Sequence, residues 1–182
     1  MDRETKALAP HAQDRLYRGL VEHAADAIIF ADCDGLIRLW NLAAEAVFGH
    51  AAQDVVGESL DIIIPERFRR AHWDGYHRAL AAGHALHGRR ALPTRATRKD
   101  GSRLYVHLSF SVVKDPQGRV IGAMAIARDI TARYLEEKEQ RARLAERQAS
   151  SSSRKSTCAR PEREYMRLFA GVFPSPCGES DC

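Results

Sequence analysis

The run Arg103 to Val113, RLYVHLSFSVV, alternates Leu104, Val106, Leu108 and Phe110 with Tyr105, His107 and Ser109. A period of two leaves a chain little choice but a strand with one buried face. Turn signals bracket the run, with Asp100-Gly101 before it and KDPQGR (Lys114 to Arg119) after it. RALPTRATRK precedes these signals and VIGAMAIARDI follows them. The stretch therefore predicts a three-strand antiparallel meander, with Leu92, Val106, Leu108, Phe110, Ala123 and Ala125 turned inward. The same alternation turns Met124 to the opposite face, to pack under a leading helix.

Upstream, AIIFAD (Ala27 to Asp32) and LIRLWN (Leu36 to Asn41) flank a Cys-Asp-Gly turn, which predicts a hairpin. Before it, DRLYRGLVEHAAD places Leu16, Leu20 and Val21 on one side of a short helix. After it, LAAEAVFG forms a helix stopped by Gly49, and VVGESLDIIIP makes a connection with short helical turns. Pro65 opens a longer helix that runs to about Ala82 and stops at Gly83, because its missing N–H costs nothing at a first helical position. GHALHGRR then makes a polar connection.

From Thr131, TARYLEEKEQRARLAERQA combines strong helix formers with charge pairs such as Glu137 and Arg141. Its Leu135, Ala142, Ala145 and Ala149 are too small and too few for a coiled coil. The expected organisation is a loosely ordered 1–13, a domain with its leading helix over 14–130, an exit helix over 131–150, and a disordered Ser/Arg/Pro-rich tail over 151–182. In that tail EYMRLFAGVF reads as a chance apolar cluster.

Other classes of function lack their signatures. The chain has 182 residues and no run of roughly 18 apolar residues. Its charged N-terminus lacks a signal-peptide core, so a cytoplasmic protein without membrane contact is expected. Cys33, Cys158, Cys177 and Cys182 form neither a CxxC pair nor a zinc spacing, and the covalent-haem CxxCH is absent. A net charge of +4 lies largely in Arg-rich helices and the tail, and gives no argument for nucleic acid. Phosphate-binding loops, nucleophile elbows and catalytic triads are missing, so no enzyme is expected.

The stretch PERFRRAHWDGYHRAL contains the residue of most chemical interest. Helical spacing aligns Phe68, His72, Tyr76 and Leu80, with Ala79 beside them, while Arg67, Arg70, Asp74 and His77 lie elsewhere. His72 thus points inward. A buried imidazole needs a partner for each nitrogen, and periodicity alone leaves packing and metal ligation both open.

The order of elements resembles a PAS domain. The resemblance is carried by DAIIFADCDGLIRLWNLAAEAVFGH, by VVGESLDIIIP and by RKDGSRLYVHLSFSVVKDPQGRVIGAMAIARDITAR, and covers about Leu16 to Arg133. It implies an α+β fold: a five-stranded antiparallel sheet, short helices on one face, and flanking N- and C-terminal helices.

Within that family the sequence is similar to the haem-binding sensors of the FixL type through Pro65, Glu66, Arg69 and His72, in register with Asp100-Gly101. This resemblance implies that His72 ligates the iron of haem b and that Arg78 pairs with a propionate. Tyr76, Ile64, Leu92, Val106, Leu108, Phe110 and Ala125 would line the pocket. His84 and His87 would reach a propionate or the iron, although solvent exposure is the ordinary fate of such residues. Leu92 stands where those sensors carry an oxygen-binding arginine, which leaves the signal open among O2, CO, NO and redox state. Arg90 and Arg95 lie close enough to substitute if the register slips.

The reactive cysteine segment of the flavin-binding LOV variant is absent, because GESLDIIIPERF occupies its place. The resemblance further implies a homodimer through the flanking helices and a downstream signalling partner or kinase. The alternative is a cofactor-free PAS module that binds a protein or small metabolite, with His72 a structural residue.

Overall fold

Two hairpin-forming segments far apart in sequence meet through a central strand. The computed structural model describes residues 9–85 and 91–151. Its elements are α1 (Pro10–Glu22), β1 (Ala27–Asp32), β2 (Ile37–Trp40), α2 (Leu42–Phe48), α3 (Ala52–Val55), a 3-10 turn (Leu60–Ile62), α4 (Glu66–Ala82), β3 (Leu92–Thr97), β4 (Arg103–Lys114), β5 (Val120–Asp129) and α5 (Thr131–Ser151). The sheet has the order β2-β1-β5-β4-β3, with every neighbouring pair antiparallel. The expected α+β architecture and five-stranded antiparallel sheet are therefore present.

β5 is central because its small residues let β1 approach closely, in a register that runs from Ala27 opposite Ala127 to Asp32 opposite Gly122. Gly122 has φ +149°, and a Cβ there would collide with the Ala31 carbonyl oxygen. Only glycine fits this approach. Alternation on the inward face buries Ile29, Ala31, Leu104, Val106, Ala123 and Ala127 almost completely, and Phe48 of α2 packs against them.

Asn41 joins three elements. It is fully buried, and its Oδ1 accepts from the backbone N–H of Ile28 (2.9 Å) and of Ala44 (3.0 Å). Its Nδ2 donates to the carbonyls of Val21 (2.9 Å) and Asp26 (3.1 Å). One amide thus caps α2, holds β1 and ties down the end of α1. α1 itself has no buried residue, and Leu16, Tyr17 and Leu20 stay exposed.

The leading helix starts at Pro10, four residues before the expected Asp14, because proline opens a helix without losing a useful N–H. α5 extends to Ser151, one residue past the expected 150. The expectations for residues 1–8, for the tail from 152 with its cysteines and EYMRLFAGVF, and for His87 and Arg90 lie outside the described residues.

Candidate functional site

α4 is laid across the inward face of the sheet and pinned at three points. The Arg69 guanidinium donates to the Asp61 carbonyl (3.0 Å), Trp73 Nε1–H to the Asp61 carboxylate (2.9 Å), and the Tyr76 hydroxyl to the carbonyls of Ala31 (3.1 Å) and Asp32 (2.7 Å). Burial, with smaller effects from Cys33 and Asp32, raises the Tyr76 phenol above its ordinary range, so it stays a neutral donor.

These contacts fix His72 between its neighbours. The imidazole is 9% exposed. It meets the Trp73 ring edge-on at 5.0 Å and lies nearly parallel to Tyr76 at 5.9 Å. Burial lowers its pKa to about 4, Asp61 opposes that shift, and His77 adds to it. The ring is therefore neutral near pH 7, the form that ligates a metal.

His72 and Tyr76 face a cavity between the helices and the sheet. α2 and the connection contribute Phe48, Leu60, Ile63 and Ile64. The sheet contributes Ile29 and Ala31, then Thr94, Arg95 and Ala96, then Val106, Leu108 and Phe110, and finally Ala123 and Ala125. The space between atoms is about 670 Å³, part of it open to solvent, and a water-sized molecule can be centred within about 70 Å³ of it.

Of the residues expected at the site, His72, Tyr76, Ile64, Val106, Leu108, Phe110 and Ala125 come together around this cavity. Leu92 and Arg78 do not line it. Leu92 pairs with Leu108 and so shares the inward face, but it is the first residue of β3, at the margin of the sheet. Arg78 is turned along α4, its Nε donating to the Asp74 carbonyl at 3.0 Å. His84 is exposed and lies 2.9 Å from the Ala82 carbonyl. Met124, paired with Phe30, is absent from the cavity wall, as alternation predicts.

Ile29, Ala31, Phe48, Leu60, Ile63, Thr94 and Ala96 line the cavity without having been expected at the site, and Arg95, expected there only if the register slipped, lines it as well. Thr94 is in step with Leu92 and Ala96, so the period of two already marked it as inward. Arg95 touches the cavity although it pairs with Tyr105 on the other face, and its buried Nε has no hydrogen-bond partner among the described residues. No local signal announced that contact.

The donor chemistry fits a haem: one neutral imidazole, held by an aromatic cluster, above an apolar wall. Among the described residues no group of three or more His, Cys, Asp or Glu competes as a polydentate metal site.

The cavity wall is also wired to the exit helix. Backbone N–H groups of Thr97 and Lys99 donate to the carbonyls of Ile63 (3.0 Å) and Phe48 (2.9 Å), both wall residues. Between them, Arg98 donates through Nε to the Val47 carbonyl (3.0 Å) and pairs with Asp129 at 2.5 Å. Asp129 accepts from the Thr131 N–H (2.8 Å) at the start of α5, where Tyr105 and Tyr134 stack 4.0 Å apart. No described helix is long and apolar enough to cross a membrane.

Comparison with known proteins bears on this geometry. The chain is 30% identical over 135 residues to the sensor protein FixL of Bradyrhizobium diazoefficiens, covering 72% of this chain and 25% of that protein. It is 25% identical over 133 residues to the oxygen sensor protein DosP of Escherichia coli, covering 73% of this chain and 16% of that protein. The chain thus spans a quarter or less of these relatives' lengths. Among solved structures, a PAS domain from Colwellia psychrerythraea is matched with TM-score 0.58 and 20% identity, over 66% of this chain and 98% of that one. An RNA-binding light-oxygen-voltage receptor gives TM-score 0.59 and 21% identity, over 85% and 42% respectively. The family model described as the PAS fold matches residues 15–130, and the chain therefore belongs to the PAS family.

Proposed function

We propose that this PAS domain is a sensory module of signal transduction that binds haem b through His72 and responds to a diatomic gas, O2, CO or NO, or to redox state. The observation that carries the proposal is the buried, neutral His72 on α4, aimed at an apolar cavity. The likeness to FixL and to the oxygen sensor DosP supports it. A bound haem would supply an iron coordination position for the gas. His72 holds the group from the helix side, Tyr76 stacks beside His72 and keeps α4 on β1, and Leu108, Phe110 and Ala125 exclude water from the opposite wall. Arg78, at mid-exposure on α4, would pair with a propionate only by leaving its bond to the Asp74 carbonyl.

Occupancy of the cavity would be felt by Phe48 and Ile63 and passed through Thr97, Arg98 and Lys99 to Asp129 and the first turn of α5. The exposed apolar residues of α1 and α5, among them Leu20 and Leu144, suit pairing of two copies through the flanking helices. A kinase or other signalling partner would read the change in α5; one relative is a cell-division control histidine kinase from Brucella anthropi.

The test is spectroscopic. Purified protein supplied with haem should develop a Soret band that is lost in His72→Ala. Wild-type protein without the band, or a band indifferent to the substitution, would overturn the proposal. The 70 Å³ of open space favours a second reading, a small apolar metabolite bound without haem. In that case small hydrophobic molecules would raise the melting temperature of haem-free protein, and no Soret band would form.

A further inference from the structure

Arg95 brings a charge to the cavity that the described residues leave unanswered. The wall contains no Asp or Glu. Of its polar members, Tyr76 donates to two backbone carbonyls, Thr94 donates to the Leu92 carbonyl, and His72, with a pKa of about 4, is neutral near pH 7. A guanidinium is always charged, so Arg95 is the wall's one permanent cation. Its Nε is buried and has no hydrogen-bond partner among the described residues. Such an N–H gives up its bond to water without replacement, a cost that an acceptor entering the cavity would remove. Arg95 pairs with Tyr105, but β3 is the last strand of the sheet, so a long side chain can reach the cavity around this edge without crossing the sheet.

We propose that the cavity takes a short aliphatic carboxylic acid, its carboxylate paired with Arg95 and its hydrocarbon body against Ile64, Val106, Leu108 and Phe110. The inference rests on the second reading above, binding without haem, and names the chemistry of that ligand. A carboxylate supplies the missing acceptor and the missing countercharge together, and its two oxygens match the planar guanidinium fork. A neutral polar group would leave the charge unanswered, and a doubly charged phosphate would meet a single cation. Haem and acid need the same space, so the acid belongs to the haem-free chain.

The experiment uses the full chain free of haem. Binding of hexanoate, 1-hexanol and hexylamine, three probes with one apolar body, is followed by calorimetric titration and by melting temperature for wild type, Arg95→Met and Arg95→Lys. Wild type should bind hexanoate roughly ten- to a hundredfold more tightly than 1-hexanol, the worth of a buried charge-assisted hydrogen bond, and hexylamine least. Arg95→Met keeps the apolar stem and removes the charge, so hexanoate should then bind no better than 1-hexanol, whose own affinity should not change. Arg95→Lys should keep part of the preference, because a point charge survives without the fork. The ligand-free melting temperature of Arg95→Met should equal or exceed that of wild type, since the unpartnered N–H is gone. A preference for hexanoate that persists in Arg95→Met would overturn the assignment. Binding of neither hexanoate nor 1-hexanol to wild type overturns the haem-free reading and this inference together, whereas equal binding of both refutes this inference alone.

Discussion

Replacing Asn41 by leucine removes a side chain of similar size whose four hydrogen-bonding positions are all used. The lost partners are the N–H groups of Ile28 and Ala44 and the carbonyls of Val21 and Asp26, at 2.9–3.1 Å. Ala44 is fully buried, so its N–H cannot turn to water instead. Loss of the α2 N-cap costs about 1 kcal/mol, and each of the other three bonds about 1 kcal/mol, giving about 4 kcal/mol. For a chain of this size each kcal/mol moves the melting temperature by roughly 2–4 °C, so a drop of roughly 8–16 °C is expected. Thermal unfolding by circular dichroism measures it. Hydrogen exchange should show α1 protection falling first, because the Val21 bond tethers a helix without buried residues. Asn41→Asp should be no better near neutral pH, since a carboxylate accepts from both N–H groups but faces two carbonyl oxygens. A loss below about 1 kcal/mol, or unchanged exchange in α1, would refute the reasoning.

Asp32 gives a pH dependence. Burial acts to raise its pKa, but the Arg38 hydrogen bond at 2.6 Å and the Leu36 and Asp34 N–H groups overcome this and hold it below the ordinary 3.8. The folded value is the depressed one, so its contribution is present above pH 3.8 and is lost as the pH falls through the folded value. The stability difference between wild type and Asp32→Asn, followed by denaturant titration, should therefore shrink below pH 3.8; a constant difference would contradict the assignment. Gly122→Ala forces a Cβ into the Ala31 carbonyl oxygen at φ +149°, and should cost about 2 kcal/mol or more, visible as a lowered denaturation midpoint. A variant as stable as wild type would show that β1 and β5 can separate there at little cost.

Much of the fold was legible because its signals are local. The period of two in β4, the Asp-Gly turns, and the glycines that stop α2 and α4 in left-handed conformations are properties of short segments. The inward direction of His72 follows in the same way from helical spacing, which is why its burial matches the sequence reading. Periodicity names a face but not a position along it. It placed Leu92 on the inward side yet could not tell that the cavity begins two residues later, at Thr94.

Long-range pairing decided the rest. β5 lies between β1 and β4 because Gly122 and the neighbouring alanines permit close approach, a fit that exists only once both strands are present. Asn41 is a polar residue after a strand in the sequence and a three-way junction in the molecule, since its partners lie up to 20 residues away. Arg98 likewise meets Val47 and Asp129, 51 and 31 residues distant. The sequence alone determined the strands, the helices and the histidine that faces inward. The tertiary structure decided which residues enclose the cavity and how its wall reaches α5, because those contacts join segments with no local reason to know of one another.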